Sequence, residues 1–150
     1  MAALLALVAQ LASKAEITLP NDGILEKVIR AIDHVASQDW EAETLTKIAF
    51  HESGFRARIT NCTIVGKIGD REIFQVVPRT RGDMSDACSY DYEVQARLAL
   101  SRVRESVTMC DKQGYRGSDL LSAYTTGRCR RNEQSSKLRY GDGSFVSNSR

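Results

Sequence analysis

The sequence predicts a mainly helical α+β protein organised as one domain, and three observations carry that expectation. Apolar residues recur every three or four positions in several separate stretches, each bounded by helix-capping or helix-stopping residues. Between Phe55 and Pro78 this period gives way to β-prone runs, Ile59-Thr60, Thr63-Ile64-Val65 and Ile73-Phe74-Gln75-Val76-Val77, parted by Gly66, Gly69 and Asp70. They predict a small β-hairpin or meander. With 150 residues, 42% of them hydrophobic and 27% charged, the chain can bury one core, and it contains no repeat, linker or second domain.

Taken in order, residues 2–12 are small and apolar, and Ser13-Lys14-Ala15 would suit a small-x-small cleavage site, but no basic residue precedes the apolar stretch. A signal peptide and an ordinary first helix are equally open readings. The stretch is too short to span a bilayer, so no stable membrane span is expected. Pro20-Asn21-Asp22-Gly23 breaks the chain before an amphipathic helix carrying Ile24, Val28, Ile32 and Val35. A second helix is expected from about Glu41 to Ser53, with Gly54 as its stop. Asp91 can cap a long helix whose face is formed by Ala96, Leu100, Val103 and Val107, widened by Val94 and Leu98. Ser118 then caps a short helix, Asp119 to Thr126, ended by Gly127. The tail beyond Arg130 is polar and aperiodic.

The formal net charge of +2 is too small to imply a nucleic-acid partner. It is nonetheless uneven: Arg128, Arg130, Arg131, Lys137 and Arg139 face only Glu133 in that stretch, which is either a solvated face or, beside a cleft, a site for an anionic partner. Four well-separated cysteines, with His34 and His51 as the only histidines, argue against a zinc site. They permit two disulfides in an extracytoplasmic or virion setting, or four reduced buried thiols. If bridges form, Cys110 with Cys129 is preferred over Cys88 with Cys110, which flank a helix.

Glu52 is the candidate for chemistry. It closes the apolar stripe Leu45, Ile48, Ala49, at spacings that turn its carboxylate inward. Burial and the negative end of the helix dipole both favour the protonated acid, the form that a general acid for glycosidic cleavage requires. The alternative is a solvated Glu at a surface helix end.

Three segments carry a resemblance to a family. Glu52-Ser53-Gly54-Phe55, then Ile73-Phe74-Gln75-Val76-Val77-Pro78-Arg79-Thr80, then Ser122-Ala123-Tyr124-Thr125-Thr126-Gly127 resemble, in order, the three signatures of lytic transglycosylases. The smaller phage-encoded and secretion-associated members are the nearest in plan. The resemblance implies a lysozyme-like fold that cleaves the β-1,4 bond between N-acetylmuramic acid and N-acetylglucosamine in peptidoglycan. Glu52 would protonate the leaving oxygen and then, as base, take the proton of the muramyl 6-hydroxyl, which leaves a 1,6-anhydro end without a metal or organic cofactor. Glycan strands would be the partner, and a phage virion or the bacterial periplasm and cell envelope the location.

The same resemblance makes Ser53, Phe74, Gln75, Tyr124, Thr125 and Gly127 the substrate-binding candidates. Ser53 could bond the Glu52 carboxylate or an N-acetyl group, or merely solvate the helix end. Gln75 offers a sugar a neutral donor and acceptor, and without a ligand it must bond backbone. Phe74 would wall the pocket, and Tyr124 would lay its ring in the cleft with its hydroxyl toward Glu52. Two positions depart from the family pattern: Glu72 replaces a Gly, and Thr125 an Asn. Asp70, Glu72 or Asp83 could supply the second carboxylate of a hydrolytic lysozyme. A non-catalytic glycan-binding module is the alternative outside enzymes. Arg81-Gly82-Asp83 and the sequon Asn61-Cys62-Thr63 are short enough to be coincidental, and Gly66-Lys67 lacks the rest of a phosphate loop.

Overall fold

The computed structural model describes residues 1–56 and 73–131, with only the backbone of Thr125. Within them lie six α-helices: α1 (Ala2–Ala15), α2 (Ile24–Val35), α3 (Asp39–Ser53), α4 (Arg81–Ala87), α5 (Tyr92–Lys112) and α6 (Ser122–Thr126). A 3-10 turn, Gly117–Leu121, leads into α6. The mainly helical character is therefore as the periodicity predicts.

The first segment is a helix packed on α3, with Leu4, Val8 and Ala12 turned into the core. Gly23, at φ 79°, starts α2, while the Asp22 carboxylate accepts the Ile24 N–H at 3.1 Å. Helix α3 ends as its sequence predicts, on Gly54 in the left-handed conformation, φ 58° and ψ 30°. Phe55 follows at φ 60°, with its ring wholly buried. Two consecutive left-handed residues reverse the chain at the end of α3.

Helix α5 is the central element and packs against α2, α3, α4, α6 and the 3-10 turn. Asp91 caps it, accepting the Glu93 N–H at 2.9 Å. Ala96, Leu100 and Val103 are buried as expected, Ala99, Ser106 and Cys110 join them, and Val107 is only half-buried. Near its middle, Arg104 forms an ion pair with the buried Glu41 of α3, N–O 2.7 Å, and Glu41 also accepts from the N–H and hydroxyl of Ser37. Burial pushes the Glu41 carboxyl up, but the hydrogen bonds from Arg104 and Ser37 outweigh it, and the group lies below its ordinary range.

Two expectations need correction, and one element is new. Ile73–Val77 is not a strand: Ile73 and Phe74 form a turn and the rest is irregular, because Gln75 at φ 48° breaks the alternation a strand requires. The other runs of the expected hairpin, within 59–65, lie outside the described residues, and no strand occurs among those described. Ser118 does not cap a helix; it is buried inside the 3-10 turn, which begins after Arg116. Finally, α4 was not foreseen, although Thr80 caps it by accepting the Asp83 N–H at 3.0 Å.

Cys110 and Cys129 form a disulfide, which ties the end of α5 to the segment leaving α6. Among the described residues no cysteine is a free thiol, and no helix is long and apolar enough to cross a membrane.

Candidate active site

A cleft of about 620 Å³ opens between the end of α3, the 75–79 loop, the middle of α5 and α6. Glu52 lines it from the last turn of α3, Gln75 from the loop, and Tyr124 and Gly127 from α6 and its cap. These residues come from all three segments of the family resemblance, and 72 positions of sequence separate Glu52 from Tyr124. Glu52 is half-buried at the end of a stripe whose other members, Leu45, Ile48 and Ala49, have no exposure at all.

Hydrogen bonds fasten the three segments together. The Gln75 side-chain amide donates to the main-chain carbonyl of Glu52, one of the oxygens that the end of a helix leaves without an intrahelical partner. Gln75 thus takes the backbone-bonding role, and its side-chain oxygen remains an acceptor. The Tyr124 hydroxyl donates to the Phe74 carbonyl at 3.0 Å, and Ser106 of α5 accepts the Tyr124 N–H at 3.2 Å while donating to Leu120 O at 2.7 Å. Loop, α5 and α6 are locked in one register around Glu52.

The remaining candidates are distributed differently. Ser53 is buried and its hydroxyl serves the helix end, donating to Ala49 O at 2.9 Å and accepting the Phe55 N–H at 3.2 Å. Phe74 places its ring in the hydrophobic core, and its carbonyl is what supports the cleft. The Thr125 side chain lies outside the described residues, as do Asp70 and Glu72. Asp83 does not line the cleft; it pairs with Arg102 and accepts the Arg79 N–H at 3.0 Å, and these contacts, the backbone bond first, hold its carboxyl below the ordinary range. His51 is exposed, with the Phe50 ring edge-on to it.

Residues of α5 that were not singled out complete the wall: Arg102, Glu105, Ser106 and Met109, with Arg79 across from them. Their spacings of three, four and seven put them on one stripe beside the apolar face, a signal present in the sequence. Arg79 Nη1 holds both Glu105 oxygens, at 2.8 and 2.9 Å, and keeps that carboxyl ionised below its usual range. The cleft therefore contains a second carboxylate, supplied by Glu105. Val77, 63% exposed, adds an apolar surface at the cleft edge. Among the described residues no three His, Cys, Asp or Glu side chains are grouped to hold a metal ion.

Comparison with family models, with curated proteins and with solved structures finds no match to this chain.

Proposed function

We propose that this protein is a peptidoglycan lytic transglycosylase with a lysozyme-like fold, acting from a phage virion or within the bacterial cell envelope. The observation that carries the reading is convergence: three short segments that resemble the family's signatures, far apart in the chain, contribute Glu52, Gln75, Tyr124 and Gly127 to a single cleft. A coincidental match of short motifs has no reason to assemble in space. The cleft also suits a sugar strand, with an exposed apolar edge at Val77 and polar groups along α5.

In the proposed reaction the Glu52 carboxyl gives its proton to the glycosidic oxygen as the bond from that oxygen to C1 of the muramyl unit breaks. The carboxylate so formed takes the proton of the 6-hydroxyl, whose oxygen closes on C1. Glu52 ends in its starting form, and no water is consumed. Gln75 fixes the backbone of the acid, and Tyr124 holds the loop that presents Gln75.

The test is digestion of purified sacculi with the wild type and Glu52→Gln. The substitution keeps shape and removes the acid, so release of soluble muropeptides should fall by roughly 10²- to 10⁴-fold while the fold is retained. Equal release by both proteins would remove Glu52 from the mechanism.

A second reading has its own observation. Glu105 faces the same cleft as an ionised carboxylate, and two carboxyl groups flanking the scissile bond are what a hydrolytic muramidase uses. Against it, the bidentate grip of Arg79 makes Glu105 a weak base.

A further inference from the structure

Beyond the cleft residue Gly127 the chain continues as Arg128, Cys129, Arg130 and Arg131, with all three arginines exposed. Arg79, Arg102, Arg104 and Arg116 each hold an acidic side chain. Among the described residues Arg128, Arg130 and Arg131 hold none. Their backbone is nevertheless firmly fixed. Thr126 donates to Arg128 O at 2.9 Å, the Arg130 N–H donates to Ser122 at 2.9 Å, and Tyr115 donates to Cys129 O at 3.3 Å. The disulfide ties Cys129 to α5, and the Arg131 guanidinium lies 5.0 Å over the Tyr115 ring.

Among the described residues these three neighbouring like charges have no acidic partner and repel one another, yet the structure presents them on a backbone fixed by hydrogen bonds next to the cleft residue Gly127. Resting on the lytic transglycosylase reading, we propose that this strip binds the carboxylates of the peptide stems that branch from the glycan strand. The sugar rings offer hydroxyl and N-acetyl groups to the cleft. The stems carry the negative charge, and a strand seated at Glu52 must project them over the rim. Guanidinium groups match carboxylates bidentately, and a prefixed backbone lowers the ordering cost of binding. A membrane surface fits less well: among the described residues the exposed large apolar ones are Met1, Ile17, Val77, Met84 and Tyr90, and none of these is on the strip.

The experiment is co-sedimentation at increasing NaCl with purified sacculi and with the same sacculi whose stem carboxylates have been converted to neutral methylamides, which keeps the cross-links. The proteins are Glu52→Gln, which leaves the strand uncut, and the same protein carrying Arg128→Gln, Arg130→Gln and Arg131→Gln, checked for an unchanged melting curve. The triple substitution should weaken binding to intact sacculi about tenfold and remove most of the salt dependence, with equal binding of both proteins to the amidated sacculi. Equal binding to intact sacculi overturns the proposal. So does an equal loss on the amidated sacculi, or tighter binding to anionic phospholipid vesicles or duplex nucleic acid than to sacculi. Muropeptide release by the wild type is read separately: if it persists, only the strip proposal falls. If release fails while stem-dependent binding remains, the strip stands and the enzyme reading falls.

Discussion

At Gln75 the backbone takes φ 48°, a left-handed conformation that costs a non-glycine residue roughly 1–2 kcal/mol. The cost is borne at a position that lines the cleft, where the side-chain amide bonds Glu52 O. Two substitutions separate strain from hydrogen bond. Gln75→Ala keeps the strain and loses the bond; Gln75→Gly loses both. The glycine variant should melt higher than the alanine variant by about 2–4 °C, roughly 1 kcal/mol for a chain of this length. Both should lose turnover to a similar degree, on the order of ten- to a hundredfold, because Glu52 is no longer held. Restored activity in the glycine variant would show that the amide bond is dispensable. Glu52 itself was legible in the sequence, since its spacing from Leu45, Ile48 and Ala49 and the Gly54 stop are local signals. The partner of the Gln75 amide was not, because it is set by a loop conformation 23 residues away.

Among the elements, α2, α3 and α5 could be read closely because each combines a helical period with a start or stop signal. Helix α4 has no apolar period, and the run Ile73–Val77 has β propensity that tertiary context overrides: Ile73, Phe74 and Val76 are all buried around the twist at Gln75. The tie between α3 and α5 through Glu41 and Arg104 depends on two residues 63 positions apart, which no local pattern reveals. Its pH dependence has a definite sign. The folded carboxyl lies below its ordinary value of 4.5, so its stabilisation is fully present above that pH and is lost as pH falls through the lowered folded value. Glu41→Gln should therefore cost about 2 kcal/mol at pH 7. In melting curves from pH 7 to pH 3, the gap between wild type and variant should stay constant down to about pH 4.5 and close below it. A gap that persists unchanged at pH 3 would contradict the charge-based account.

For the whole molecule, long-range closure decides whether the cleft keeps its shape. The Cys110–Cys129 bridge spans 19 positions and encloses the 3-10 turn, α6 and the Gly127 cap. Replacing both cysteines by alanine should cost about 3 kcal/mol and lower the melting temperature by about 6–12 °C. The sequence favoured this pairing without deciding whether the thiols are oxidised, and it left the first fifteen residues open between leader and helix. In the fold they form α1, whose packing on α3 no local pattern could fix. The convergence of three segments on one cleft likewise belongs to this scale. Its chemical meaning is tested most directly by the end group of the soluble muropeptides that the wild type releases from purified sacculi, read by mass spectrometry. The account predicts 1,6-anhydro-muramyl ends, 18 Da lighter than the hydrated product by the mass of one water, and their disappearance with Glu52→Gln. Reducing muramyl ends, with water incorporated, would contradict it and make Glu105 the partner of Glu52 in a hydrolase.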